Sequence, residues 1–326
     1  MILITGGAGF IGSNLQAALF ARGYETIVVD RLRNEEKRYN LAKHPPALML
    51  PPEALEDFLG TAPPVDLIFH LAGRAPTLDP DADVLLAAHL EQSKWLWQWC
   101  ARHDRRFIYV STAATYGDGR AGFSDGIAVA DLEHLRPLSP YGQAKHAFDL
   151  YVAGQVAAGA RLPRQWVGLK LFNVYGPNEY HKAQSTSLVK VIYDQIQVGQ
   201  VPRLYRSNHP EIADGTYQRD FIFVDDVVAV MLWFLQRTSL SGLFNLGTGA
   251  ARSYQSLALA VCRALGAEPR IDFVDIPQEL HGKYVEFSQA EIRRLRSAGY
   301  TAPFVSLEDG VAQYINTFLG QVDPYR

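Results

Sequence analysis

The sequence predicts an α/β protein with a doubly wound parallel sheet, because apolar, β-branched segments alternate with stretches of helical periodicity along its first half. Parallel neighbours need a crossover connection, usually a helix, and this alternation supplies one. Segments rich in Val, Ile, Leu and Phe predict strands at residues 2–5, 26–30, 66–71, 107–111 and 167–172. Apolar residues at helical spacing predict helices at residues 11–22, 84–102 and 141–158.

The alternation breaks in the middle of the chain, where Gly176-Pro177 and the polar tract 207–215 indicate long loops. Shorter strands are predicted at residues 220–224, 243–246 and 271–274, and helices at residues 225–236 and 254–265. We therefore predict a main domain over residues 1–172 and a smaller α/β lobe over residues 173–326. Within that lobe, residues 218–250 are expected to return to the main sheet.

The composition is that of an ordinary globular protein, with 48% of the 326 residues hydrophobic and 20% charged. The net charge of -3 gives no overall attraction to nucleic acid or to an anionic membrane, and no apolar run approaches a membrane span. Cys100 and Cys262 stand alone, so neither a disulfide framework nor a metal site is predicted. The chain opens on a predicted strand without a leader-like segment, so we expect a reducing, cytoplasmic setting.

Three glycines stand between the first predicted strand and the first predicted helix. Gly6, Gly9 and Gly12 follow a G-x-x-G-x-x-G spacing. Such glycines allow a tight turn, let backbone N–H groups approach a pyrophosphate, and bring the helix close to the strand. Asp30 ends the second predicted strand, 18 positions after Gly12, where a carboxylate accepts hydrogen bonds from an adenosine ribose. Together these features predict a Rossmann-type site for a nicotinamide dinucleotide rather than an ordinary strand-to-helix turn.

The residues after Asp30 bear on the choice between NAD and NADP. The carboxylate alone favours NAD. The cations that follow it could neutralise a 2′-phosphate, and they are Arg31, Arg33, Lys37 and Arg38. The alternative is a solvated loop of charges. We predict NADP, with NAD as the alternative.

A tyrosine and a lysine four positions apart, Tyr141 and Lys145, open the third predicted helix. This spacing places both side chains on one helical face. A neighbouring ammonium is expected to lower the pKa of the Tyr141 hydroxyl, so that it can abstract a proton near neutral pH. A second Tyr–Lys match at residues 39–43 lies too early in the chain to meet a nicotinamide.

Two hydroxyls, Ser111 and Thr112, stand at the end of the strand that precedes this helix. Ligands of open parallel sheets bind beyond the carboxyl ends of the strands. We therefore expect both hydroxyls at the same crevice, where one of them could hold a reacting alcohol. The alternative for each is that it caps a backbone group.

Together these motifs resemble the extended short-chain dehydrogenase/reductases that act on nucleotide sugars. The resemblance covers nearly the whole chain, and its second-half motifs are Asn173-Val174-Tyr175-Gly176-Pro177, Arg219-Asp220-Phe221 and Asn245-Leu246-Gly247-Thr248-Gly249. Within that superfamily, the second half is most similar to the ADP-L-glycero-D-manno-heptose 6-epimerases. The matching segments are residues 172–177, 181–182, 219–221, 232–235, 244–249, 281–284 and 298–300.

The resemblance implies an epimerase that keeps NADP bound through its cycle. Hydride would leave C6″ of the heptose, a transient ketone would form, and hydride would return to the opposite face. Tyr141 and Lys182 would be the two acid/base groups, supported by Lys145 and by Ser111 or Thr112. The implied cofactor contacts are Gly6, Gly9, Phe10, Ile11, Gly12, Asp30, Arg31, Lys37, Ala72, Gly73, Arg74, His89, Lys145, Val174 and Lys182. The implied contacts with a nucleotide-sugar substrate are Asn173, Gln184, Tyr205, Arg219 and Tyr284. A homo-oligomer is also implied, since that family forms pentamers and many relatives form dimers.

The chemistry of epimerisation gives Lys182 a purpose of its own. An enzyme that removes and restores the same hydrogen must protonate the oxygen from two orientations, which one fixed tyrosine cannot easily do. A lysine could be the second group if burial or a nearby cation lowered its pKa. From its spacing alone, a solvated loop lysine is the alternative.

Other functions share part of this pattern. A UDP-hexose 4-epimerase would carry the same general motifs. A sugar 4,6-dehydratase is disfavoured, because Ala113 and Ala114 supply neither the acid nor the base that elimination of water needs. The non-enzymatic alternative is a catalytically idle NADP-binding module. Departures from the family pattern leave the substrate open, and they fall at residues 70–76, His89, Gln184 and the apparent insertion at residues 207–217.

Overall fold

Seven parallel strands form the main sheet of the computed structural model, which describes residues 1–73, 82–278 and 285–326, except the side chains of residues 82–85 and 184. Their spatial order is β11 (Gly242–Leu246), β6 (Gln165–Leu171), β5 (Arg106–Thr112), β4 (Leu67–His70), β1 (Ile2–Thr5), β2 (Thr26–Val29) and β3 (Leu48–Leu50). From β1 the chain first winds outward through β2 and β3 and then returns to build the sheet in the other direction from β4. The predicted doubly wound α/β fold is confirmed, with its topological switch point between β1 and β4.

Helices cover both faces of this sheet, because successive strand residues point to opposite sides. Ile4 of β1 packs with the helices α1 (Phe10–Phe20) and α8 (Val224–Gln236). Its neighbour Leu3 packs on the other face, with α3 (Leu55–Gly60), α4 (Ala82–Arg102) and α6 (Pro140–Ala157). The strands are apolar at nearly every position because both of their faces are buried.

A smaller α/β lobe is built on short strands beside the main sheet. Its strand pairs and triplets are β7 (Asn173–Tyr175) with β10 (Phe221–Phe223), β8 (Arg203–Tyr205) with β13 (Asp272–Val274), and β9 (Gln218–Arg219) between β12 (Arg252–Ser253) and β14 (Phe287–Ser288). A third apolar cluster joins these strands to α7 (Leu188–Gln197), α9 (Tyr254–Leu265) and α11 (Leu307–Tyr314). The short helices α5 (Val129–Glu133) and α10 (Arg293–Ser297) lie in the connections.

Several elements of the main sheet region escaped prediction, including α3, an edge strand and a polar helix. The strand β3 has three residues between Pro46 and Pro51, too few for an alternating pattern. The helix α2 (Glu35–Ala42) is mostly polar and has no apolar stripe. It starts at a local cap instead, since the Asn34 side chain accepts a hydrogen bond from the Lys37 amide at 3.2 Å. Within the described ranges, no helix has both the length and the apolar character needed to cross a bilayer.

Candidate active site

The glycine loop joins β1 to α1 and has no room for side chains. Gly6 has a φ of +71°, and a Cβ built on it would lie 2.8 Å from the Ala72 amide nitrogen beyond β4. A Cβ on Gly12 would lie 2.3 Å from the Gly6 carbonyl oxygen. The helix N-terminus at Gly9 carries no side-chain cap, so its amides remain for a ligand. This cradle fits the pyrophosphate of a dinucleotide at the switch point of the sheet.

We expect Gly12→Ala to weaken NADPH binding by about 10- to 100-fold, because the added methyl group forces α1 away from the loop. Fluorescence titration of cofactor-stripped protein with NADPH measures this. Gly154→Ala is the matched control, since a Cβ on Gly154 of α6 meets nothing within 4 Å and should leave the affinity unchanged. Equal affinities for the two variants would contradict the assignment of this loop.

A buried histidine ties the loop to the end of β4. His70 Nδ1 lies 2.7 Å from Thr5 Oγ1, and its Nε2 lies 2.9 Å from Ser93 Oγ of α4. Burial holds the pKa of His70 well below its usual value. The Ala72 amide donates to Thr5 Oγ1 at 3.3 Å. The segment that starts at His70, which departs from the family pattern, therefore places Ala72 and Gly73 beside the glycine loop.

Asp30, at the adenosine end, receives three hydrogen bonds. The Ala8 amide donates to it at 3.0 Å, the Arg31 amide at 2.7 Å and Lys37 Nζ at 2.7 Å. The Lys37 ammonium therefore balances the carboxylate that would favour NAD. The Arg31 guanidinium pairs with the Glu53 carboxylate on the protein surface. The cationic cluster is thus partly engaged by the carboxylates of Asp30 and Glu53.

Tyr141 and Lys145 lie in the first two turns of α6, which begins at Pro140 and is capped by Ser139. Ser139 Oγ accepts a hydrogen bond from the Gly142 amide at 3.1 Å. Both residues line a cavity whose walls also include Ala72, Gly73, Leu86, His89, Leu90 and Ser93. A Cβ on Gly73 would lie 2.9 Å from Lys145 Nζ, so the segment after β4 meets the start of α6 here. The structure thereby brings five predicted site residues together.

The expected lowering of the Tyr141 pKa is wrong for the protein by itself. Burial raises the pKa of Tyr141 to about 12, because removal of water disfavours the phenolate. Burial also lowers the pKa of Lys145 to about 8, opposed by the Asp149 carboxylate. The Lys145 ammonium donates to the Val110 carbonyl at 3.1 Å. Desolvation therefore outweighs the attraction on which the sequence argument relied.

Ser111 and Thr112 do not share a crevice as expected, because consecutive strand residues face opposite sides. Ser111 is buried, and its Oγ donates to Asp149 Oδ2 at 2.7 Å. Thr112 is partly exposed, and its Oγ1 accepts a hydrogen bond from the Ala114 amide at 3.2 Å, which is the capping alternative. The Thr112 hydroxyl also retains its proton for a ligand, whereas the Ser111 hydroxyl is committed to the interior.

Lys182 lies in a pair of short 3-10 turns (Tyr180–Ser185) that meet at a kink at Ala183 and pack against α2 and the start of α1. Its Nζ is 5.1 Å from the centre of the Phe10 ring. Burial lowers the pKa of Lys182, opposed by the Glu179 carboxylate. The solvated-loop alternative does not describe this environment. The next residue, Ala183, has a φ of +48°, an uncommon conformation for a residue with a side chain, and it turns the chain away at once.

Buried asparagines latch this segment to the cofactor domain. Asn14 Nδ2 donates to the Pro177 carbonyl at 2.9 Å, Asn178 Nδ2 to Ser13 Oγ at 3.0 Å, and Asn40 Nδ2 to the Asn178 carbonyl at 3.1 Å. None of the three was predicted, and only Asn14 gave a signal, as a polar residue on the buried face of α1. Asn40 lies within the second Tyr–Lys match, at residues 39–43.

The last residues of the chain fasten the same segment from outside. The Arg326 amide donates to Asn178 Oδ1 at 3.0 Å, and the Tyr180 hydroxyl donates to the Pro324 carbonyl at 2.8 Å. His181 is enclosed between Lys182 and Lys37, and burial together with these two cations lowers its pKa to about 4. His181 is therefore neutral at physiological pH and can contact a cofactor without adding charge.

The residues expected at the substrate lie mainly in the smaller lobe. Arg219 is buried, donates to the Gln218 and Val285 carbonyls, and has its guanidinium 5.3 Å from the Tyr254 ring. Asn173 donates to the Asp220 carbonyl at 3.2 Å, and Val174 packs between two apolar clusters. Tyr205 ends β8 with part of its ring exposed. Three further predicted residues fall outside what the structure describes, namely Arg74, Tyr284 and the side chain of Gln184.

Asp220, the residue after Arg219, binds groups from other parts of the chain. It is fully buried and accepts hydrogen bonds from the Thr248 amide at 2.7 Å, the Thr248 hydroxyl at 2.7 Å, the Gly249 amide at 2.9 Å and the Ala290 amide at 3.0 Å. The carboxylate thus fastens the turn after β11. In the described part of the chain, no group of His, Cys, Asp and Glu side chains is placed to hold a metal ion.

Comparison with known proteins shows the family of this chain. Residues 2–247 match the model of the NAD dependent epimerase/dehydratase family. The chain is 43% identical to a protein of Nitratidesulfovibrio vulgaris (strain DP4) named ADP-L-glycero-D-manno-heptose-6-epimerase, with 100% of both chains covered. It is 37% identical to a protein of the same name from Fusobacterium nucleatum, again over 100% of both chains.

Solved structures share the fold over nearly the whole chain. The Helicobacter pylori ADP-L-glycero-D-manno-heptose-6-epimerase has a TM-score of 0.74 at 24% identity, with 97% of this chain and 95% of that chain covered. The Thermus thermophilus UDP-glucose 4-epimerase, solved with NAD, has a TM-score of 0.73 at 27% identity, covering 98% and 99%. Sequence and fold agree that this chain belongs to the NAD dependent epimerase/dehydratase family.

Proposed function

We propose that this chain is an epimerase that converts ADP-D-glycero-D-manno-heptose into ADP-L-glycero-D-manno-heptose by inverting C6″. The observation that carries the mechanism is the partly buried Lys182, held against the glycine loop in addition to the Tyr141 and Lys145 pair. The substrate is supported by the full-length similarity to proteins named for this reaction. A homo-oligomer in a reducing cytoplasm completes the proposal, and the buried, unpaired Cys100 and Cys262 are compatible with it.

The glycine loop fits a nicotinamide dinucleotide, and we propose NADP. Gly6, Gly9 and Gly12 would hold its pyrophosphate, and Asp30 would bind its adenosine ribose. When bound, the nicotinamide ring accepts hydride from a substrate carbon and returns it. Lys37 pairs with Asp30 and Arg31 pairs with Glu53, so Arg33 and Arg38 are the cations that we propose to meet a 2′-phosphate.

Two proton-handling groups reach the glycine loop by different routes. Tyr141 and Lys145 approach it through Ala72 and Gly73, whereas Lys182 approaches it through Phe10. Oxidation of the C6″ alcohol releases a proton to one group, and re-reduction of the ketone from its other face takes a proton from the other group. Thr112 is the better candidate for the hydroxyl that holds the reacting oxygen, because Ser111 is bonded to Asp149. Arg219 would bind the diphosphate of the substrate.

The test is incubation of the purified protein with ADP-D-glycero-D-manno-heptose, without added cofactor, while NMR follows the configuration at C6″. We expect inversion to an equilibrium mixture. UDP-galactose serves as the parallel substrate, because inversion at C4″ without any inversion of the heptose would support the UDP-hexose 4-epimerase instead. A protein that binds NADP and changes neither sugar would be the idle binding module.

A further inference from the structure

A fully buried ion pair lies directly behind the proposed catalytic groups. Lys170 Nζ of β6 is 2.8 Å from Asp149 Oδ2 of α6, and both side chains have no solvent exposure. Isolated charges of this kind are strongly destabilising, and even a paired set often contributes less to stability than apolar residues of similar size. The presence of the pair at this position therefore calls for an explanation beyond packing.

Both members of the pair make further polar contacts. Asp149 Oδ2 also accepts the Ser111 hydroxyl at 2.7 Å, and its Oδ1 accepts the Tyr109 hydroxyl at 3.2 Å. Lys170 Nζ donates to Thr115 Oγ1 at 2.7 Å and lies 4.9 Å from the Tyr116 ring. Asp149 thus ties α6 to the last residues of β5, while Lys170 ties β6 to the turn that follows β5.

These ties reach both halves of the proposed catalytic centre. Asp149 is four residues after Lys145 and eight after Tyr141, so the three side chains lie along one side of α6. Thr115 Oγ1 donates to the Thr112 carbonyl at 2.9 Å, which connects the pair to the strand-end hydroxyl. A shift of Asp149 would therefore move Tyr141 and Lys145 relative to Thr112.

We propose that Asp149 is a positioning residue for the proposed epimerisation: it fixes α6 against β5 and supplies the negative charge that keeps a proton on Lys145. The proposal rests on the proposed function of Tyr141 and Lys145. Burial alone lowers the pKa of Lys145, and the Asp149 carboxylate opposes that lowering. The other titratable groups on the elements packed around Lys145 are Tyr141 and His146 of α6, His89 of α4, His70 of β4, Tyr109 of β5 and Lys170 of β6.

The test compares Asp149→Asn with the double variant Asp149→Asn/Lys170→Met. The single variant leaves the Lys170 ammonium buried without its partner, so it is expected to be unstable. The double variant removes both charges together and keeps similar volumes, so it is expected to fold. The matched control is Asp66→Asn, which breaks ion pairs of Asp66 with Arg106 and Arg164 at the amino-terminal ends of β4, β5 and β6.

The first readout is independent of turnover. In protein labelled with 13C-lysine, the Cε shift of Lys145, assigned by its absence from Lys145→Met, is followed against pH. We expect the titration midpoint to fall in the double variant, by less than the loss of Asp149 alone would cause because the Lys170 ammonium is removed with it, and to stay unchanged in Asp66→Asn. An unchanged midpoint in the double variant would overturn the charge role.

The second readout is epimerisation of the heptose substrate. We expect kcat of the double variant to fall by roughly tenfold or more, with the alkaline limb of the rate profile moved to lower pH and with KM nearly unchanged. Asp66→Asn shows how the rate changes when only the folded fraction changes. A loss of rate in the double variant that follows its folded fraction in the same way would show that Asp149 is only a structural residue. If the wild-type protein leaves the heptose unchanged, the proposed function fails, while the lysine titration still decides the charge role of Asp149.

Discussion

Tyr141→Phe is expected to lower kcat for epimerisation by about 10³-fold, with the protein still folded and still binding its cofactor. The change removes one oxygen from the wall of the cavity shared with Lys145 and leaves the ring that packs there. Because burial raises the pKa of Tyr141 to about 12, the wild-type hydroxyl carries its proton at neutral pH and acts as the acid in one direction. Loss of that proton should slow reduction of the ketone most.

The matched control for this variant is Tyr151→Phe. Tyr151 lies on the same helix, and its hydroxyl accepts a hydrogen bond from the Gln98 amide nitrogen at 3.1 Å on the protein surface. We expect near-normal turnover. Rates are measured by NMR of C6″, and cofactor retention by the absorbance of the purified protein. A Tyr141→Phe enzyme with more than about a tenth of the wild-type rate would show that another group handles this proton.

Lys182→Met is the second variant with a large expected effect, a loss of about 10²- to 10³-fold in kcat. The ammonium is partly buried above the Phe10 ring, where we propose that it exchanges a proton with the substrate oxygen on the side opposite to Tyr141. Methionine keeps the length and the apolar part of the side chain, so the contact with Phe10 should survive. Proton exchange at the second face of the ketone is then lost.

The neighbourhood of Lys182 requires a control for cofactor binding. Since its nitrogen lies against the residue that starts α1, its loss could also weaken the dinucleotide site. NADPH affinity is therefore measured for each variant, and turnover is taken at saturating cofactor. Lys190→Met, which breaks only a surface pair with Asp194, should behave as wild type. Near-normal turnover of Lys182→Met at full cofactor occupancy would reject the two-group mechanism.

Both proposed groups depend on the same small set of contacts at the switch point of the sheet. Ala72 contacts the glycine loop on the Tyr141 side, and Phe10 contacts Lys182 on the other. Asn14 and Asn40 then join the Lys182 segment to the cofactor domain. Both proposed acid/base groups are therefore positioned relative to the glycine loop, although Tyr141 lies on α6 and Lys182 lies after β7.

Much of this could be predicted from the sequence, because it depends on residues close together in the chain. The periods of the apolar residues indicated strands and helices, and the glycine spacing marked the cofactor loop. The i,i+4 spacing of Tyr141 and Lys145 placed them on one face of α6. Elements without a local pattern were missed, as the edge strand β3 and the polar helix α2 show.

Contacts between distant residues were decided by the tertiary structure alone. Ser111, unlike Thr112, donates a hydrogen bond to Asp149, and Asp149 forms an ion pair with Lys170. The tertiary structure also placed Lys182 against Phe10, a contact across more than half the chain that no local pattern encodes. Finally, the fold raises the pKa of Tyr141 instead of lowering it as expected, because the free energy of ionisation depends on how much water the fold excludes. Local spacing determined which groups are available, and packing determined their partners and protonation.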